Sequence, residues 1–302
     1  MGNETRSYEV VSNWAKLPEG RSFGYTHGIE VDANNRYYVF HTGSPAMYVF
    51  DEEGNFLNAW GEEFAGGAHG CYLHREADGE RFYLTDTARS EVIKTDLEGN
   101  VLLRIGTPDL PDVYDAERLF VPTDVAVGPG GLIYVADGYG QSYIHVYDQE
   151  GHYIKSWGGK GNGEGQLDCP HGVSVDYRHD EPEIYVADRG NNRIQVFTLE
   201  GRHKRFVTEE MRMPDSFFYY GDEVVFPDLL SRVTVLDKDD KLIVHLGDDP
   251  EASKQEGWPN LPNDYYRADR FSSPHGVCAD AAGNLYVAEW TQDGRVTKLV
   301  RG

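Results

Sequence analysis

The 302-residue chain carries a formal net charge of -23. That acidity argues against a nucleic-acid or anionic-membrane surface, because both polyanions are repelled. The cysteines Cys71, Cys169 and Cys278 are too sparse, and odd in number, for a disulfide framework. The N-terminal run Met1-Gly2-Asn3-Glu4-Thr5-Arg6 has no apolar leader, and no segment has the length and hydropathy of a membrane span. A cytoplasmic protein is expected where Met1 is the native start; a trimmed secreted form has the same signature.

In chain order, one opening strand recurs. Its copies are His27-Gly-Ile-Glu-Val-Asp32, His69-Gly-Cys-Tyr-Leu-His74, Thr123-Asp-Val-Ala-Val-Gly128, His171-Gly-Val-Ser-Val-Asp176, Asp215-Ser-Phe-Phe-Tyr-Tyr220 and His275-Gly-Val-Cys-Ala-Asp280. Their spacing, about 42 to 60 residues, is in the range of propeller blades. Each copy leads into a second strand (37–40, 82–85, 133–136, 184–187, 223–226, 285–288) and a third (47–51, 91–96, 143–148, 193–198, 232–237, 295–300). Glu-Gly turns after several third strands supply the positive φ that a hairpin needs. Fourth strands are clearest in Asn55–Gly61 and His152–Gly158.

The sixth copy stops at Gly302 without a fourth strand. Ser7–Trp14 resembles the fourth strands that end in Trp60 and Trp157, so the N-terminal strand is expected to close the last blade. The expectation is all-β, a six-bladed β-propeller formed by residues 1–302 as a single domain. Helices longer than a turn or two are not required. Longer insertions fall at Thr107–Phe120 and Asp248–Phe271, where substrate-binding residues tend to sit on a rigid scaffold.

A residue that starts an opening strand lies near one mouth of a propeller's channel. His27, His69, His171 and His275 all hold that place. The last three fall on alternate blades, roughly 120° apart in a six-bladed ring. A single channel histidine reads as a packing residue; three at symmetric places read as metal ligands with open positions for water or substrate. Zinc is the default for three neutral imidazoles, with iron(II), manganese and copper as the other metals such ligands hold. His27 breaks the threefold pattern and is a candidate fourth ligand, proton carrier or substrate contact. The groups closing the second strands, Asp86, Asp137, Asp188 and Glu289, with His41 and Asp228 at the other two places, read as turn-capping groups. Near them stand Tyr139, Arg189, Trp290 and Thr42. A metal and an arginine can lower a tyrosine's pKa enough to make it a base. Cys71 reads as a small apolar side chain rather than a thiolate ligand.

The run Val186-Ala-Asp-Arg-Gly-Asn-Asn-Arg-Ile-Gln-Val-Phe197 resembles the signature of NHL-repeat propellers. Within that class the chain is similar to the peptidyl-α-hydroxyglycine α-amidating lyases. The resemblance is carried by Val39-Phe-His-Thr-Gly43, Ala68-His-Gly70, Pro122–Val127 with Val135–Tyr139, Cys169-Pro-His171 with Val186–Arg189, and Ser273-Pro-His275. It implies zinc held by His69, His171 and His275, a catalytic Tyr139 and a supporting Arg189. The implied reaction cleaves the C–N bond of an N-acyl-α-hydroxyglycine to give an amide and glyoxylate. Three positions depart from the pattern: Thr42 stands for an arginine, His27 for a small residue, and Gly276 for an aspartate linked to a structural calcium. The resemblance therefore does not extend to calcium or to the native peptide substrate.

The expected function is a metal-dependent lyase that cleaves a C–N or C–O bond of a small polar substrate. The alternatives are a metal-dependent hydrolase, a four-histidine iron(II) oxygenase and a non-catalytic NHL interaction scaffold. The expected partner is a small-molecule substrate, with no nucleic acid and no membrane.

Overall fold

Short runs of Val, Ile, Tyr and Phe, bounded by Asp and Gly turns, make this chain a strand former almost throughout. The computed structural model describes residues 1–4, 6–209 and 211–302. The strands form six four-stranded antiparallel sheets, each in the order of the chain except the last. They are the blades of a six-bladed β-propeller, the fold expected from the repeat. Among the described residues the only helices are three-residue 3-10 turns, and none is long and apolar enough to cross a membrane.

The chain divides into two compact units, one of residues 67–216 and one of residues 1–66 with 217–302. The first unit holds blades two, three and four. Their opening strands are Ala68–Glu76, Asp124–Val127 and Pro170–Asp176. Pro170–Asp176 and its partner Glu183–Asp188 are buried along their whole length, because apolar neighbours cover both sheet faces. Tyr153–Gly158, the outermost strand of blade three, is only partly covered. Tyr134, Ile144, Val146, Val173, Ile184 and Val186 form one core cluster of this unit.

The second unit holds blades one, five and six, which open on Thr26–Val31, Phe218–Tyr220 and Pro274–Ala279. Blade six is completed by the N-terminal strand Tyr8–Val11, which pairs antiparallel with Arg295–Arg301, with Tyr8 opposite Arg301. Trp14, three residues past that strand, is 3% exposed. It meets Tyr37 and Tyr286 edge-on at 5.1 and 4.9 Å, and its indole N–H donates to the Glu52 carbonyl at 3.0 Å. The buried ring fixes the end of the closing strand.

The opening strand of blade five is shorter than expected. It starts at Phe218 rather than Asp215, which releases Asp215 from the sheet for a different use. The groups that close the second strands are structural, as expected. Asp86 accepts the Ala88 and Arg89 N–H groups at 3.0 and 2.9 Å. Asp188 accepts from Asp168 N, Asn191, Arg193 and Gln195. His41 takes the Gly24 and Gly43 N–H groups on Nδ1, both at 3.0 Å. The three cysteines are free; Cys278 is buried, whereas Cys71 and Cys169 are half-buried.

Candidate functional site

The recurring histidine sits on a local backbone irregularity. In each sheet that has it, the ladder to the second strand slips around the histidine: between Ala68 and Cys71, Pro170 and Val173, Thr26 and Gly28, and Pro274 and Gly276. The sheets that open on Asp124 and Phe218 keep regular register there. A bulge re-aims a side chain and ends pairing, so the sequence places the histidine where the strand can turn it out of the ladder.

In the 67–216 unit, His69 Nδ1 donates to the Thr123 carbonyl at 2.7 Å. His171 Nδ1 lies 3.3 Å from the Asp215 carbonyl and in close contact with the Asp215 carboxylate. Carbonyls and carboxylates only accept, so Nδ1 carries a proton in both rings, and in the neutral imidazole Nε2 is then the lone-pair nitrogen. The glycine after each histidine permits this contact. A Cβ on Gly70 would lie 2.6 Å from the Thr123 oxygen, and one on Gly172 would lie 2.2 Å from the Asp215 oxygen.

The two Nε2 atoms converge on Tyr139. Its hydroxyl lies 3.2 Å from His69 Nε2 and 3.1 Å from His171 Nε2. Arg189 Nη2 donates to the same hydroxyl at 3.2 Å, and its guanidinium carbon lies 5.5 Å from the Tyr139 ring centre. The other guanidinium arm donates to Asp215 Oδ1 at 3.0 Å. Asp215 thus ties Arg189 to the far side of the His171 ring. All of these residues except Tyr139 are buried; Tyr139 keeps 45% of its surface exposed. Its ring therefore faces solvent while its hydroxyl faces the imidazoles.

Burial pushes the Tyr139 phenol above its ordinary value, and Arg189 opposes that rise. The lowering that a catalytic base needs is not supplied by these residues alone; Arg189 acts in that direction but burial outweighs it. Two imidazole lone pairs face a hydroxyl that has a single proton. A cation is the group that both lone pairs can share, and the neutral Nε2 donors suit a borderline transition metal.

In the other unit, His275 follows the same rule. Its Nδ1 donates to the His27 carbonyl at 3.0 Å, and a Cβ on Gly276 would sit 2.4 Å from that oxygen. His27 differs. Its Nδ1 donates to Tyr25 O, two residues back in its own strand, at 3.1 Å, and its ring meets the His275 ring edge-on at 4.6 Å. Thr42 is tied to the same residue: Thr42 N donates to Tyr25 O and Tyr25 N donates to Thr42 Oγ1, both at 3.0 Å. Two of the positions that depart from the amidating-lyase pattern therefore meet at Tyr25.

Sequence reasoning missed Asp215. The signal was present, since Asp215 stands first in the fifth copy, where four other copies have histidine. By its place in the repeat it is the first residue of an opening strand, which by itself gives no hint of a role at the site.

Residues 167–197 match the NHL repeat. The rat peptidylglycine α-amidating monooxygenase is 29% identical over 219 residues, which is 62% of this chain and 22% of that protein. Human NHL repeat-containing protein 3 is 28% identical over 76% of this chain and 69% of its own length. A probable peptidyl-α-hydroxyglycine α-amidating lyase of Caenorhabditis elegans is 31% identical over 45% of this chain and 39% of its own length. The match to the rat protein thus spans about a fifth of its length. Among solved structures, a streptogramin B lyase superposes with a TM-score of 0.66 at 12% identity, covering 99% of both chains, a likeness of fold. The chain is a six-bladed β-propeller with an NHL repeat, and it resembles the α-amidating enzymes over part of its length.

Proposed function

We propose that the chain is a metal-dependent lyase that cleaves the C–N bond of an N-acyl-α-hydroxyglycine or a closely related hemiaminal. The observation that carries this reading is the Tyr139 hydroxyl, held within 3.2 Å of two imidazole Nε2 atoms and of Arg189. A proton carrier and a pair of metal-type donors therefore meet in one place. The proposed ligands are His69, His171 and His275, which hold the same bulged place in their blades and donate Nδ1 to a backbone carbonyl. Zinc bound there would supply Lewis acidity to the substrate hydroxyl oxygen.

The chain's own residues do the rest. Tyr139 accepts the proton of the substrate hydroxyl. The C–O bond becomes C=O as the C–N bond breaks, the electron pair moves to nitrogen, and a proton returned to nitrogen completes the amide and glyoxylate. Arg189 stabilises the phenolate form in which Tyr139 takes that proton, since its guanidinium already donates to the same oxygen. Asp215 holds Arg189 in place and fixes the His171 tautomer. His27 contacts the substrate or carries a proton beside His275.

The test is glyoxylate release from N-benzoyl-α-hydroxyglycine by zinc-loaded protein, run in ¹⁸O water. The lyase reading predicts glyoxylate together with benzamide that contains no solvent oxygen. Benzoate labelled with ¹⁸O in place of benzamide would indicate a hydrolase and overturn it; glyoxylate alone does not decide, because the α-hydroxyglycine left by hydrolysis collapses to ammonia and glyoxylate.

A further inference from the structure

The insertion Asp248–Phe271 has no part in the chemistry above, yet it brings a tryptophan and an asparagine to the residues next to His27 and His275. Trp290 follows the second strand of blade six. Its N–H donates to the Ser273 carbonyl at 2.8 Å, and its carbonyl accepts the Ser273 hydroxyl at 2.8 Å. Ser273 is two residues before His275. Across from it, the Tyr25 ring lies 5.5 Å from the Trp290 ring at 38°. Trp258 of the insertion meets Trp290 at 6.2 Å and 67°. Asn260 clamps the group: its amide donates to the Tyr25 hydroxyl at 2.9 Å, and its carbonyl accepts Gln292 N at 2.7 Å.

We propose that Tyr25, Trp258 and Trp290 form an aromatic wall that binds a planar apolar group of the substrate beside His27 and His275. The inference rests on the reading of His275 as a ligand of the reacting centre. All three rings are half-buried, whereas aromatics of the blade cores such as Tyr37 and Tyr286 are fully buried. The wall therefore keeps ring surface for a partner. Two of its polar handles are already engaged: Trp258 Nε1 donates to the Ser272 carbonyl at 3.0 Å, and the Tyr25 hydroxyl takes the Asn260 amide. What it offers a ligand is ring face and edge, which select a flat apolar group by stacking. The wall is tied to the site by main chain, since Tyr25 O accepts from both His27 Nδ1 and Thr42 N. The pattern that replaces an arginine by Thr42 thus comes with aromatic recognition at the same place.

The test compares N-benzoylglycine with N-acetylglycine, titrated by calorimetry into zinc-loaded protein. The wall predicts that the benzoyl compound binds about fivefold or more tightly. It also predicts that Trp290→Ala, and independently Trp258→Ala on the loop, bring the two compounds to parity while N-acetylglycine is unaffected. Equal affinities in the wild type, no binding of either compound, or equal losses for both compounds in the variants would overturn the wall. Turnover separates the two claims. A benzoyl preference that Trp290→Ala abolishes, without glyoxylate release, leaves the wall standing and removes the lyase. Release of glyoxylate together with benzamide, at equal affinities, does the reverse.

Discussion

His171 and His27 start from the same local pattern, a histidine before glycine on a bulged opening strand, and end in different surroundings. The Nδ1 of His171 meets Asp215 at the start of the next copy, and its Nε2 meets Tyr139. The Nδ1 of His27 turns back to its own strand at Tyr25, and its ring packs against another imidazole. The motif fixes where a histidine emerges. What it can do is set by the carboxylate, hydroxyl and guanidinium that other segments bring to it. In the 67–216 unit those include Asp215, Tyr139 and Arg189; the contacts described for His27 are the Tyr25 carbonyl and the His275 ring.

The sharpest way to break this contrast is Tyr139→Phe. It removes the proton carrier and keeps the ring, so kcat should fall by about 10²–10⁴-fold, with zinc content unchanged when both are measured on one preparation. Unchanged turnover would reduce Tyr139 to a packing residue.

His41 provides a contrast of a different kind, a histidine used only for structure. Burial pushes its pKa down to about 4 from the ordinary 6.5, and its Nδ1 accepts two backbone N–H groups. A depressed histidine is held neutral, so its contribution to stability is fully present above pH 6.5 and is lost as pH falls toward 4. The wild type should lose about 3 kcal/mol over that window from this group. His41→Asn, which can still accept the two N–H groups, should flatten the slope in urea unfolding measured at several pH values. An unchanged slope would place the titrating group elsewhere.

Asp215→Asn should cost about 10–100-fold in metal affinity or activity, the usual effect of removing the partner that orients a metal-binding histidine. A chelator competition assay reads the affinity directly. Rescue by Asp215→Glu would support a charge requirement. Equal behaviour of Asn and wild type would mean that the carboxylate only fills space. The smallest effect is expected for His27→Ala. It should leave zinc bound within about tenfold of wild type, whereas His275→Ala should abolish binding. Loss of metal in His27→Ala would make it a ligand and erase the distinction.

Much of this was legible in the sequence because blades repeat. The His-Gly opening, the second-strand acids and the Glu-Gly turns recur, and Ser7–Trp14 matched the missing strand that Tyr8–Val11 supplies. Gly54 and Gly201 take the positive φ of 77° and 85° that the turns require. Asp215 was not legible as a site residue, because its copy is the most degenerate and its contacts run to Arg189 and to His171. The Tyr114–Asp137–His145 network was also hidden. There the insertion's Tyr114 hydroxyl donates to Asp137 at 2.7 Å and lies 2.6 Å from His145 Nε2. The aromatic group at Trp290 was equally hidden, since Trp258 comes from an insertion with no counterpart in the repeat. Periodicity reveals what each blade shares, and these contacts are what individual blades do not share.

The most direct test of the central claim is the metal content of the purified protein and of His171→Ala, measured by plasma mass spectrometry after zinc loading and desalting. The proposal predicts about one zinc per wild-type chain and none in the variant. Wild-type protein that holds no metal, or a variant that holds as much as wild type, would contradict it.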